Sequence, residues 1–179
     1  MRFPVDARLK DQTPIRLVLV GQADLTPLRQ LYDRIVKEGT SYPHERPLTE
    51  EEFLEYWYRG KSTVAAYPDG ASGHHDPIGA FYLKANWPGR ARHVANAGFI
   101  VSPEWRQRGL GWLLGATMLN YARYLGYKSV IFNLVFSENR GARHLWTQLG
   151  FKELSTIPQA VRNNDGSYQD AVIMFQSLV

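Results

Sequence analysis

Residues 102–115, SPEWRQRGLGWLLG, constrain the fold more than any other stretch of this chain. They follow the apolar run NAGFIV (96–101). They lead into Leu113, Leu114, Thr117, Met118, Tyr121, Ala122 and Leu125, which are spaced as on a helix. A strand must therefore pass into a helix through a turn that holds Gly109 and Gly111 beside Arg106 and Arg108. Either glycine would cost about 0.5–1 kcal/mol relative to alanine inside a strand or helix. The first turn of a helix offers N–H groups without intrahelical partners and the positive end of the helix dipole. Bare glycine backbone lets an anion approach those groups, and arginine adds mobile charge. The turn reads as a site for a phosphate or pyrophosphate, with a ligand-free glycine-rich connection as the alternative. A P-loop would need Lys and Ser/Thr after its last glycine, and a dinucleotide fingerprint would need glycine where Leu114 stands. Nucleotide hydrolysis and NAD binding are both poorly supported.

The remaining elements follow from periodicity. IRLVLV (15–20) reads as the first strand. Leu25, Leu28, Leu31, Tyr32, Ile35 and Val36 form one face of a helix over 25–38. After the breaker-rich loop 39–47, Thr49 opens a second helix, with Glu50, Glu51 and Glu52 in its first turn and Phe53, Leu54, Trp57 and Tyr58 as its apolar face. STVAAY and PIGAFYLK are strands joined by a hairpin loop over 68–76, and HVANAGFIV (93–101) is the fourth strand. The helix after the double glycine stops at Gly126. SVIFNLVF (129–136) is the fifth, buried strand. NRGARHLWTQLG (139–150) is a short helix with Ala142, Leu145, Trp146 and Leu149 on one face, and FKELSTI and DAVIMFQSLV are closing strands. The order β-α-α-β-β-β-α-β-α-β-β implies one domain over 1–179, an α/β sheet with helices on both faces.

Composition narrows the function. The chain has 179 residues, 44% of them hydrophobic, enough for a sizeable core. It contains no cysteine, which excludes disulfides, thiolate nucleophiles and Cys-based zinc sites. No apolar run approaches the roughly 20 residues of a membrane span, and the N-terminus lacks the apolar core of a secretory signal, so a cytoplasmic location is expected. Net charge is +4, with Arg90, Arg92, Arg106, Arg108, Arg140 and Arg143 expected around the glycine turn. No nucleic-acid motif or long basic stripe accompanies that charge. His74 and His75 read as exposed loop residues, no metal site is expected, and His93 and Glu138 are weak candidates for a base.

Arg106-Gln107-Arg108-Gly109-Leu110-Gly111 resembles the R/Q-x-x-G-x-G/A pattern of the GNAT (GCN5-related) N-acetyltransferases. Asn139, Ala142, Gly150 and Phe151 fit that family's N-x-x-A-x-x-x-Y-x-x-x-G-F signature. The resemblance implies a mixed, mostly antiparallel sheet splayed between the fourth and fifth strands, and acetyl-CoA as cosubstrate. The amides of Arg106, Gln107, Arg108, Gly109, Leu110, Gly111 and Trp112 would hold its pyrophosphate. Exposed backbone at Phe99, Ile100 and Val101 would pair with the pantetheine arm as an added strand, and Asn139, Ala142 and Trp146 would border the arm. Many members use a tyrosine of the N-x-x-A helix as general acid; here Trp146 stands there, and an indole N–H donates a hydrogen bond but is no acid near neutral pH. Tyr42, Tyr58, Tyr82 and Tyr121 are unranked substitutes.

More narrowly, GTSYP, FLEYWY, GAFYLKANWPGR, NAGFIV and LGYKSVIFNLVF look like the fungal N-acetyltransferases of L-azetidine-2-carboxylate and other proline analogues. Those enzymes place asparagines in the cleft, which implies Asn96 and Asn133 in substrate and thioester positioning and Asn139 on the acetyl-CoA side. A buried amide in the middle of a strand also needs partners, since leaving it without them costs about 1–3 kcal/mol; a cleft would supply them, and a structural asparagine bonded to backbone at a bulge is the alternative. The expected activity is N-acetylation of a small amine or amino acid by a homodimer, with neither nucleic acid nor membrane as partner. Polyamine, antibiotic or protein N-terminal acetylation, and a non-catalytic acyl-CoA sensor, are the competing readings.

Overall fold

The computed structural model describes residues 1–68 and 76–179. The expected hairpin loop, with His74 and His75, falls largely outside the described residues. An eight-stranded sheet runs β1 (Val5–Arg8), β2 (Pro14–Leu19), β3 (Ser62–Pro68), β4 (Gly79–Ala85), β5 (Val94–Val101), β6 (Ser129–Phe136), β8 (Tyr168–Ser177), β7 (Lys152–Arg162). Every neighbouring pair is antiparallel except β5 and β6. A parallel pair needs a crossover, and α3 (Leu110–Tyr124), the helix after the double glycine, supplies it. Strand β1 was not anticipated: its four residues alternate between half-buried and exposed and carry too little apolar signal.

Two cores cover the two faces. On one, Leu28, Leu31, Tyr32, Ile35 and Val36 of α1 (Leu25–Glu38) pack with Phe53, Trp57, Ala65, Ala80, Tyr82 and Ile100. On the other, Leu110, Leu114, Met118 and Ala122 of α3 and Trp146 of α4 (Arg140–Gln148) pack with Val64, Phe81, Leu83, Ala97 and Phe132. The expected faces of α1 and α3 are recovered, except that α3 ends at Tyr124 and leaves Leu125 43% exposed.

The second helix departs from regular spacing. Thr49 caps α2 (Glu50–Phe53), its hydroxyl accepting from the Glu52 amide. The chain then continues as a π-helical turn, Leu54–Tyr58, with Arg59 N–H bonded to Leu54 C=O at 2.8 Å. The wider turn buries Phe53 and Trp57 but leaves Leu54 and Tyr58 half-buried, and it brings Tyr56 to the cleft described below. Such turns concentrate at functional sites.

Candidate active site

Strands β5 and β6 pair only at Val94–Ser129 and Ala95–Val130. Beyond that vertex they part. The Asn96 side chain spans the start of the opening, donating from Nδ2 to the Ile131 carbonyl at 2.9 Å. Ser102 N–H bonds Ile78 on the β4 side, so alternation along the strand turns the main-chain groups of Phe99 and Val101 toward the gap. Among the described residues no strand meets them there. Tyr42 Oη donates to the Phe99 carbonyl at 3.0 Å, and Arg106 Nε reaches the Val101 carbonyl at 3.4 Å. Ile100 lies in register with Ala80 of β4, its side chain buried in the core under α1.

The open end of the gap faces the start of α3. Gly109 has φ of +89°, a left-handed conformation that favours glycine, and Gln107 also has positive φ (+60°). A Cβ on Gly111 would lie 3.2 Å from Leu145 of α4. Both glycines therefore have a conformational or packing reason beyond ligand approach. Leu110 is buried and can offer only backbone; Trp112 is half-exposed.

The arginines do not all gather here. Arg106 pairs with Glu38 at 2.7 Å. Arg108 pairs with Asp11 at 2.8 Å, bonds Thr13 Oγ1, and lies over the Trp105 ring. Arg90 and Arg92 sit in the β4–β5 connection at the opposite end of β5, Arg140 is exposed at the start of α4, and Arg143 is tied to Glu153. The β1–β2 turn, which sequence reasoning overlooked, buttresses the glycine turn: Asp11 and Thr13 hold Arg108, and the Lys10 side chain passes beside Gly109. Hydrogen bonds from Thr13 and then Arg108 hold the Asp11 carboxyl down at about 2.

A cleft of about 500 Å³ runs from Arg106 and Gly111 to Lys84 and Asn96. Phe99, Phe132, Asn139, Ala142, Leu145 and Trp146 line one side, and Tyr42, Tyr56 and Tyr82 the other. The Trp146 indole is 94% removed from solvent and packs 4.6 Å from Phe99 and 4.8 Å from Phe132, centroid to centroid. It is a wall of the cleft. Asn139 lines the cleft and N-caps α4, its Oδ1 accepting from Ala142 N–H at 3.1 Å.

The two strand asparagines separate. Asn96 is buried at the vertex. Asn133 is not the buried amide expected: it is exposed, where the β6–β8 register slips between Phe132 and Val135, and it donates to Asn86 Oδ1 at 2.6 Å. The slip lets β6 turn Asn133 to the cleft instead of the core.

The tyrosines can now be ranked. Tyr42, Tyr56 and Tyr82 line the cleft, while Tyr58 does not and Tyr121 packs on Phe3 in the opposite core. Burial raises the hydroxyl pKa of all three cleft tyrosines, so they remain neutral hydrogen-bonding groups. Tyr82 lies directly over Gly98, where a Cβ would meet its ring at 2.5 Å. Among the described residues lining the cleft there is no carboxylate and no imidazole. His93 and Glu138 are exposed and outside it. No metal-binding group of His, Asp and Glu occurs among the described residues, and no helix there is long and apolar enough to cross a membrane.

These features can take an extended acyl-thioester. The start of α3 presents N–H groups able to donate to a diphosphate, the edge of β5 beyond the vertex presents main-chain groups to an amide-bearing arm, and aromatic side chains wall the cleft. The chain matches the acetyltransferase (GNAT) family over residues 28–151 and belongs to it. It is an acyltransferase of that family. Among curated proteins it is 33% identical over 163 residues to N-acetyltransferase aca1 of Schizosaccharomyces pombe, covering 83% of this chain and 78% of that one. A GCN5-related N-acetyltransferase from Kribbella flavida superposes with a TM-score of 0.83 at 28% identity, covering 91% and 97% of the two chains. A phosphinothricin acetyltransferase from Sinorhizobium meliloti in complex with acetyl-CoA shares the fold, with a TM-score of 0.80 at 22% identity over 91% and 88%.

Proposed function

We propose that this enzyme N-acetylates a small amine or amino acid, of which a proline analogue such as azetidine-2-carboxylate is the sharpest case. The observation that carries the reading is the cleft itself: about 500 Å³, closed at the vertex by Asn96, walled by tyrosines and free of carboxylates among its described lining. A polyamine would call for several cleft carboxylates. The acidic segment Glu50–Glu52 lies outside the cleft lining; within it Glu52 closes the α2 cap and binds Arg46, and Glu51 binds Arg59.

In this reading residues 106–112 hold the diphosphate, with main-chain N–H groups at the start of α3 as donors and Arg106 as a nearby cation. Phe99 and Val101 offer main-chain groups to the arm, and Asn139, Ala142 and Trp146 flank it. The thioester end then lies toward the vertex, where Asn96 and Asn133 position it and the acceptor. Acetyl-CoA supplies the activated acyl carbon. The acceptor nitrogen bonds to that carbon as the carbon–sulfur bond breaks, and the proton the amine gives up, passed through water, balances the departing thiolate. With no carboxylate or imidazole in the described lining, rate comes mainly from alignment of the two reactants in a dry slot.

A homodimer and a cytoplasmic location belong to the same proposal. Ten of the eleven residues of β7, the last strand of the sheet, are exposed, and Leu154 and Ile157 of β7 with Tyr168 of β8 leave apolar surface there. Sedimentation measures the dimer directly. The activity is tested by thiol release from acetyl-CoA over a panel of amines that includes azetidine-2-carboxylate, cis-4-hydroxyproline and spermidine. Turnover with the cyclic imino acids and none with spermidine is expected. Silence across the panel, with acetyl-CoA still bound, would leave the acyl-CoA sensor standing.

A further inference from the structure

We infer that Lys84 is the carboxylate anchor of the acceptor subsite, so that the enzyme selects amino or imino acids over the same amines without a free carboxylate. This rests on the acceptor reading above and names the residue that would enforce it.

Among the described residues lining the cleft, Lys84 and Arg106 alone carry charge. They stand at opposite ends. Arg106 is at the α3 end and already paired with Glu38. Lys84 is at the vertex end, directly across the β4–β5 ladder from Asn96. Side chains alternate along a strand, so Tyr82, Lys84 and Asn86 share the face that also bears Asn96. The Lys84 ammonium lies 6.0 Å from the centre of the Tyr82 ring and meets no carboxylate among the described residues.

The neighbouring groups leave that charge uncompensated. Lys61, just before β3, has its charged form disfavoured by burial and then by Lys84, and it donates to the Arg59 carbonyl at 2.9 Å. Asn86, two residues further along the same face, accepts from Asn133, and its buried Nδ2 has no partner among the described residues. A half-buried cation that meets no carboxylate among the described residues, with one unpartnered amide N–H on the same face, favours an anionic guest. In an α-amino or imino acid one carbon separates the nitrogen from the carboxyl carbon. Holding the carboxylate at Lys84 therefore holds the nitrogen near the vertex, where the thioester would end.

The test is calorimetry on the CoA-saturated enzyme with L-azetidine-2-carboxylate and its methyl ester as probes. Wild type is compared with Lys84→Met and Lys84→Arg, and thiol release is run in parallel. We expect wild type to favour the acid by about 10- to 100-fold, as for hydrogen bonds to a charged group. Lys84→Met should erase that preference, Lys84→Arg should restore part of it, and acetyl-CoA affinity should stay unchanged in both, which also shows that they fold. Equal binding of acid and ester by wild type, no binding of either, or an undiminished preference in Lys84→Met would overturn the assignment. Acid preference lost in Lys84→Met without any acetylation would uphold Lys84 and sink the acceptor reading. Acetylation with the preference intact in Lys84→Met would do the reverse.

Discussion

Gly98 lies midway along β5, and its replacement by alanine tests how the acceptor wall is built. A Cβ there would stand 2.5 and 2.8 Å from two ring carbons of Tyr82 and 3.0 Å from the Tyr42 hydroxyl. Carbon atoms in good contact sit about 3.5–4.0 Å apart, so the Tyr82 ring must retreat by about 1 Å. It has little room: Tyr82 is 5% exposed, and Trp57 meets it edge-on at 5.1 Å with Tyr56 at 5.9 Å. Overpacking of this kind costs about 1–3 kcal/mol, and a pinned ring belongs at the upper end. Displacing Tyr42 from the Phe99 carbonyl adds about 1 kcal/mol. Alanine returns about 0.5–1 kcal/mol through its smaller entropy loss in a strand. The net is a destabilisation of about 3 kcal/mol, a fall in Tm of roughly 6–12 °C for a chain of this size. Urea denaturation of the wild type, Gly98→Ala, Tyr82→Leu and the double variant measures it as a cycle. Tyr82→Leu should relieve more than about 1 kcal/mol of the cost. A cost below about 0.5 kcal/mol, or the same cost with and without the Tyr82 ring, would refute the reasoning.

Two further outcomes follow from the site. Trp146→Phe removes the indole N–H but keeps a ring against Phe99 and Phe132; it should cost about 1–2 kcal/mol of stability and leave kcat within a few-fold. A fall of about 10²-fold or more, the scale of a lost oxyanion donor, would instead make the indole part of the chemistry. His44 is half-buried, with Nδ1 2.7 Å from Tyr32 Oη, and burial holds its pKa below the usual 6.5. A histidine depressed in the folded state contributes stability that is present above about 6.5 and lost as pH falls through its folded value. The stability difference between wild type and His44→Phe, read from urea midpoints, should therefore shrink from pH 7.5 to pH 5.5; a constant difference would refute it.

The glycine turn, the face of α1 and most of the face of α3 were legible because each depends on local spacing that a sequence displays directly. The splay was accessible through the family's motifs, although no residue near Ala95 or Val130 announces where pairing stops. Tyr56 was missed because a π-helical turn breaks the 3.6-residue count on which its position was judged. Asn133 was misjudged as buried because a register slip in β6 cannot be read from one strand. The gathering of six arginines was an artefact of sequence proximity: Arg90 and Arg92 precede β5, while Arg106 and Arg108 follow it, a strand's length away.

The sequence by itself determined the order of elements from β2 onward, the strand-to-helix turn at Gly109 and the absence of thiol chemistry, since each follows from residue type and near-neighbour spacing. Tertiary structure decided which polar groups share a cleft. Lys84 and Asn96 face one another across a ladder, Tyr42 reaches the Phe99 carbonyl from 57 residues away, and Asp11 steadies Arg108 from 97 away. Such pairings depend on register and on where strands part, and those are set by the packing of both cores together.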